Sequence, residues 1–205
     1  MMNETIDKTK ESFKEKIFRK CGESMDMKEK FFHKYAEELE VISREMAKRF
    51  QQEKKLLTMG NGGSLADALH MAVEFNHPII EKRKAFLSLP LMTDIAWMTA
   101  VSNDLDFTRV YVNQVNLSGE AGDMLMAFST SGKSPNMIYA LEAARDKGLM
   151  TIAFAGKDGG RFVDVADFCL IVPSYSIHRI QETHATVVHI LWDLVHIALG
   201  EEDVV

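Results

Sequence analysis

Five short apolar runs punctuate the chain, at residues 55–59, 85–89, 124–128, 151–155 and 168–172. None carries a helical stripe, and four of them give way at once to Gly60, Pro90, Ser129 and Gly156, so they read as buried strands ended by turns. Between the runs, apolar residues recur at helical spacing. This spacing predicts a helix through the sixties and seventies, a short one over 94–101, another over 137–147 ending at Gly148, and a long one from about Arg179 to Leu199. Ser102, Asn103 and Asp104 read as a turn. Strands alternating with helices imply parallel pairing through right-handed crossovers. The expected fold is therefore α/β, three layers built around a five-stranded parallel sheet.

Residues 1–53 follow a different pattern. They read as helical throughout, rich in Lys and Glu, with Gly22 beside Cys21 as the expected break. Ile6, Phe13, Ile17 and Phe18 can share a face before it, and Phe31, Phe32, Tyr35, Leu39, Ile42 and Met46 sustain a stripe after it. The expectation is an N-terminal helical segment, residues 1–53, packing on the core or on a neighbouring subunit, then one α/β domain over residues 54–205. His33 reads as a stacking or surface residue, not a ligand.

The 205 residues, 46% hydrophobic and 26% charged, suffice for one well-packed domain with that appendage. No run of about 18 apolar residues occurs, so no membrane span is expected. The N-terminus lacks an apolar signal core, which points to a cytoplasmic protein. Cys21 and Cys169 lie far apart without metal-ligand spacing and read as reduced residues of that compartment. A net charge of −6 argues against binding along a nucleic-acid backbone. It leaves open a small phosphate ester, which backbone amides can hold without basic side chains.

Candidate chemistry concentrates at two turns. After the first strand, Gly60-Asn61-Gly62-Gly63 turns the chain sharply and Ser64 stands where a helix cap is expected. Glycines let the backbone approach a bound group, and the helix start favours an anion. On that helix His70 and Glu74 are four residues apart and share a face, a pairing suited to proton transfer or a divalent metal. After the third strand, Ser129-Thr130-Ser131-Gly132-Lys133-Ser134-Pro135 gathers four hydroxyls at a second strand-to-helix turn, with Pro135 in the first helical turn. Residues 127–134 also satisfy a relaxed nucleotide P-loop spacing. The first glycine is replaced by Ala127 and Pro135 follows directly, so Lys133 reads as a loop residue.

The ordered set Gly60-Asn61-Gly62-Gly63-Ser64, His70, Glu74, Asn103-Asp104, Ser129-Thr130-Ser131-Gly132 with Ser134, Gly156-Lys157-Asp158-Gly159-Gly160 and Arg179-Ile180-Gln181-Glu182 with His184 and His189 resembles the phosphoheptose isomerase family of the sugar isomerase (SIS) superfamily. The resemblance runs from about residue 55 to 199. It implies a flavodoxin-like SIS domain that converts sedoheptulose 7-phosphate to D-glycero-D-manno-heptose 7-phosphate, towards the heptose of lipopolysaccharide or capsule. It further implies phosphate binding by Ser129, Thr130, Ser131 and Ser134, and a sugar site shaped by Asn61, Gly62, Gly63, Ser64, Asn103, Asp104 and Gln181. A Zn2+ site at His70, Glu74, Gln181 and His189 is implied too, with Glu74 and His189 as base and acid, in a homotetramer. The chemistry is coherent, because moving a carbonyl between adjacent carbons needs a base at carbon, a relay between oxygens and stabilisation of an enediolate. Gln181 and His189 stand eight residues apart, about 12 Å along an unbroken helix. That leaves two arrangements, Gln181 before the regular helix or a site shared between subunits. His178 stands where the family often has an acidic residue. A noncatalytic SIS relative that binds the replication initiator, or a sugar-phosphate sensor, would need the turns but not the Glu74 and His189 pair.

Overall fold

The computed structural model describes residues 11–80 and 82–203. Ile6, assigned above to an apolar face, lies outside the described residues. Strands β1 (Leu56–Gly60), β2 (Ser88–Pro90), β3 (Met124–Phe128), β4 (Met150–Gly156) and β5 (Phe168–Val172) form one parallel sheet in the order β2-β1-β3-β4-β5. Leu56 lies opposite both Ser88 and Met124, and Ile152 lies opposite both Met126 and Phe168. All five expected strands are present. β2 starts three residues late, because Phe86 instead donates its backbone N–H to Phe75 and only Ser88–Pro90 pairs with β1.

Side chains alternate across the sheet with the period of two that a strand imposes. Leu56, Met124, Met126, Phe128, Ile152 and Phe154 enter one core, beneath α1 (Phe13–Gln51), α2 (Gly63–Asn76) and α7 (Ile177–Ala198). Leu57, Met59, Leu125, Ala127, Ala153 and Ala155 enter the other, beneath α4 (Val110–Ser118), α5 (Pro135–Asp146) and α6 (Phe162–Val165). The expected three layers are thus observed. α3 (Ile95–Asp104) and a 3-10 turn (Phe107–Arg109) lead into α4. Asn103 and Asp104 are therefore the last turn of a helix, not a turn after one.

The N-terminal segment differs from expectation. No break occurs at Gly22; α1 continues through it, and the one non-helical residue is Tyr35 (φ −116°, ψ 15°). A Cβ added at Gly22 would meet no neighbouring element within 4 Å among the described residues, so glycine there weakens the helix by only about 1 kcal/mol relative to alanine and packing imposes no kink. The two ends of α1 also differ. Phe13, Ile17 and Phe18 are exposed, whereas Phe31, Ile42, Met46 and Phe50 are fully or nearly fully buried. Each such burial stabilises by roughly 1.5–3 kcal/mol, so the second half holds α1 on the domain. Among the described residues no helix is long and apolar enough to cross a membrane.

Candidate active site

The order of the sheet reverses between β1 and β3, and both sequence-predicted turns leave the carboxyl ends of these neighbouring strands, where doubly wound folds bind ligands. After β1, Gly62 adopts φ 57° and becomes the residue that starts α2. This conformation is open to glycine and strained for other residues. The helix consequently begins ahead of Ser64, whose expected capping role is not observed; Ser64 is buried in the first turn. α5 likewise begins at Ser134 with no side-chain cap. In these first turns the N–H groups of Ser64, Leu65 and Met137 bond back to Asn61, Gly62 and Ser134, and Pro135 has none. This leaves the N–H groups of Gly63 and Asn136, among the described residues, as the donors open to an anion. Between them lies a cavity of about 70 Å³ lined by Asn61, Ser64, Phe128, Ser129, Thr130, Ser131 and Ser134. It is several times what one water needs and suits a compact anion such as phosphate.

The four hydroxyls of the second turn have different surroundings. The Ser129 hydroxyl accepts from the backbone N–H of Gly132 at 3.0 Å and of Ser131 at 3.3 Å, shaping the turn. Ser131 accepts weakly from Lys133 at 3.4 Å. Among the described residues no hydrogen bond engages the hydroxyls of Thr130 or Ser134. Lys133 pairs at the surface with Asp158 at 2.9 Å, which fits a loop residue and not a phosphate-binding lysine. Gly132 has φ +62°, and a Cβ added there would sit 1.9 Å from the Gly159 carbonyl oxygen. Arg161 donates its backbone N–H to the Gly132 carbonyl at 2.9 Å. The glycine turn after β4 thus supports the serine turn from behind.

The two ligand turns are locked together by a residue that sequence reading missed. Asn61 and Asn136 exchange amide hydrogen bonds, 3.0 Å in each direction. Asn136 is almost fully buried. Tyr111, buried on α4, donates its hydroxyl to the Gly60 carbonyl and holds the end of β1.

A second cluster lies further along α2. α2 and α7 run side by side in the same direction, with Gly63 beside Gln181, Asp67 beside His184 and His70 beside His189. The His70 Nε2 is 3.1 Å from Glu74 Oε1 and 3.1 Å from His189 Nε2, and His189 Nε2 is 3.9 Å from Glu74 Oε1. Around a tetrahedral Zn2+ with ligand distances near 2.0–2.1 Å, donor atoms stand roughly 3.3 Å apart. The three side chains therefore fit one divalent ion. His189 is largely exposed and Glu74 is mostly covered, so the cluster opens to solvent on the α7 side.

Matches to known proteins follow this geometry. A SIS domain model matches residues 21–156. A phosphoheptose isomerase from Roseiflexus sp. (strain RS-1) is 40% identical over 192 residues, 94% of this chain and 98% of the relative. This chain belongs to the phosphoheptose isomerase family. Among solved structures, the phosphoheptose isomerase from Francisella tularensis superposes with a TM-score of 0.86 at 29% identity, covering 91% of this chain and 99% of that one. The one from Neisseria gonorrhoeae gives 0.83 at 33% identity, covering 90% and 98%.

Two of the residues that the phosphoheptose isomerase resemblance singles out are on α3 and belong to neither cluster described above. Asn103 and Asp104 are exposed at the end of α3 and hydrogen-bond each other at 2.8 Å. Gln181 lies inside α7, so it does not precede the helix. Its amide rests against Gly63, seven residues and about 10 Å along α2 from His70. Arg179 pairs with Glu182 at 2.7 Å and donates to the Lys20 carbonyl of α1. His178 and His77 are exposed, whereas His184 and His196 are buried.

Between the turns and the cluster lies a buried polar pair that also escaped the sequence reading. His184 is fully buried beside Phe128 and Phe154. Burial pushes its pKa down to about 4, the Ala155 backbone partly opposing this. Asp67 is pushed up to about 6 by burial, with the nearby His70 opposing. The Asp67 Oδ2 approaches His184 Nδ1 at 3.9 Å, too long for a hydrogen bond, and among the described residues neither atom has another hydrogen-bond partner. Asp67 is on the buried face of α2, three residues before His70. A carboxylate on an apolar helix face was the signal available.

Proposed function

We propose that this chain interconverts sedoheptulose 7-phosphate and D-glycero-D-manno-heptose 7-phosphate. The observation that carries this reading is the spacing of the two clusters on one helix pair. The phosphate turns and the His70–Glu74–His189 group are separated by about 10 Å along α2, comparable to the span between the phosphate and the carbonyl end of an extended seven-carbon sugar. In this reading the free hydroxyls of Thr130 and Ser134 and the helix starts bind the phosphate. Ser129 and Ser131 shape the turn, Asn61, Gly62, Gly63 and Ser64 line the sugar path, and Asn103 and Asp104 complete it.

The Glu74 carboxylate takes the proton from C1 of the ketose and returns it at C2, through an enediolate. His189 moves the compensating proton between the two oxygens, a task suited to an imidazole near neutral pH. Zn2+ held by His70, Glu74 and His189 would stabilise the charge that develops on those oxygens. Gln181 is the fourth donor by family resemblance, and with its amide at Gly63 we assign that contribution to a site shared between copies in a homotetramer. An apolar groove of about 600 Å³ between α1 and α7, lined by Phe32, Leu39, Ile190 and Leu194 among others, supports such packing. We further place residues 1–53 as the appended segment, the reaction in the cytoplasm and its product on the route to lipopolysaccharide or capsule heptose.

The test is turnover of sedoheptulose 7-phosphate by purified protein, with chelator and with zinc restored. Product that disappears on chelation and returns with zinc supports the reading. Binding of the sugar phosphate with no product under any metal condition would favour a noncatalytic sensor or partner-binding role instead. A fully active monomer at high dilution would exclude the shared site.

A further inference from the structure

The His70–Glu74–His189 cluster is built entirely across the α2–α7 pair, so its geometry depends on how the two helices are held in axial register. One residue of slip is about 1.5 Å, enough to part His189 from His70. In the middle of the pair Asp67 and His184 approach without a hydrogen bond. Beyond the cluster the connection is of another kind. Arg83, in the loop that follows α2, has its side chain only 2% exposed and donates from Nη2 to Asp193 Oδ1 at 2.5 Å. The same nitrogen donates to the Glu202 carbonyl at 3.1 Å, Nε lies 3.5 Å from Glu201, and the guanidinium lies 4.5 Å from the Trp192 ring. Asp193 is four residues after His189 on α7, and so one turn further along the same face.

The loop carrying Arg83 is tied to the end of α2. Asn76, the last residue of α2, donates to the Ser88 carbonyl at 2.6 Å and accepts from the Ser88 N–H at 2.9 Å. Phe86 donates its N–H to the Phe75 carbonyl at 2.8 Å. A line of contacts therefore runs from Glu74 through Phe75 and Asn76, the loop, Arg83 and Asp193 to His189. A buried guanidinium of this kind is costly to leave unpaired; Nη2 alone carries both hydrogen bonds, and the planar group lies over the Trp192 ring, a stacking that lysine does not reproduce.

We propose that Arg83, through its buried pairing with Asp193, is a positioning residue that holds α7 in register with α2 and thereby sets the distance between His189 and the His70–Glu74 pair. It touches neither substrate nor metal. The inference rests on the metal-site reading above only for its zinc readout.

The experiment compares wild type with Asp193→Asn, which keeps shape and removes the charge, and with Arg83→Lys, which keeps the charge and removes the planar group that lies over Trp192. Three properties are read on folded protein: zinc affinity by competition with a chromophoric chelator, affinity for inorganic phosphate, and the imidazole 1H–15N signals of His189 with and without His70→Gln. In wild type, His70→Gln shifts the His189 signals because the rings touch. Both variants are expected to lose that shift and to bind zinc at least about tenfold more weakly, with phosphate affinity changed less than about twofold, since each 1.4 kcal/mol is tenfold and the phosphate turns lie at the opposite end of the helix pair. Retention of the His70-dependent shift in both variants would overturn the proposal, as would equal weakening of zinc and phosphate, which marks general loosening. Wild type that binds no zinc but shows the coupled imidazoles would refute the metal reading, and the imidazole signals of the variants would then decide the positioning role.

Discussion

At the carboxyl ends of β1 and β3 the ligand turns are shaped largely by backbone. Gly62 and Gly132 have positive φ, two helix starts lack side-chain caps, and the Ser129 hydroxyl hydrogen-bonds to the turn's own amides. Further along the same helix the His70–Glu74–His189 cluster consists of side chains alone, on regular helical backbone. In the proposed function the first arrangement tolerates loss of a single functional group, because several donors would share one task. The second does not, because Glu74 would be the base, His189 the relay and His70 a metal ligand.

That contrast can be broken at its strong end first. Glu74→Gln should lower kcat by about a thousandfold, within the range for loss of a general base, while sugar-phosphate affinity in a binding assay stays within about threefold. Equal losses in binding and turnover would mean that the two regions are not separable.

The Asp67–His184 pair sits where the two regions meet, and its titration gives opposed slopes. His184 is lowered from 6.5 to about 4, so the unfolded state binds more protons between those values and stability falls as pH falls through that window. Asp67 is raised from 3.8 to about 6, so the folded state binds more protons there and stability rises as pH falls through its window. Each contribution is on the order of 3 kcal/mol, and in the wild type they largely offset. Relative to wild type, His184→Gln should gain stability on acidification from pH 6 to 4. Asp67→Asn should lose it from pH 6.5 to 4. Urea midpoints across this range check both signs.

Gly132→Ala places a methyl against the Gly159 carbonyl at positive φ and should cost about 2 kcal/mol in stability. It should weaken phosphate binding more than tenfold while leaving zinc affinity unchanged, as calorimetry of the two ligands would show. The smallest effect is expected for Ser134→Ala. Losing one of several donors should weaken phosphate binding by about three- to tenfold, the net value of a single hydrogen bond. A larger loss would show that side chains, not backbone, carry the phosphate turn.

The sequence made the sheet legible because a buried parallel strand is a short, uniformly apolar run, and β3 and β5 coincide with their expected spans. It misled at Gly22, where solvent lets a long helix run through glycine. It was silent over residues 107–118, where β-branched Val110, Val112 and Val115 mask a helix that packing imposes. The site divided in the same way. His70, Glu74 and His189 were readable because family spacing and i, i+4 geometry agree. The Asn61–Asn136 lock joins residues 75 apart, and no local pattern announces it. Gln181 was readable as a site residue, but its neighbour Gly63 follows only from the parallel packing of α2 on α7.

The contact between Gly132 and the turn at Gly159 and Gly160 bears on how this scaffold can change length. A Cβ at Gly160 would meet the Gly132 carbonyl oxygen at 2.5 Å, so the two turns are in backbone contact. A single inserted or deleted residue between β4 and α6 would shift the serine turn, although nothing between them need touch a ligand. Extra residues near the exposed start of α1 would displace no such partner among the described residues. Fusion sites belong at that end of the molecule, and the loop after β4, despite lying at the surface, is a poor place to cut.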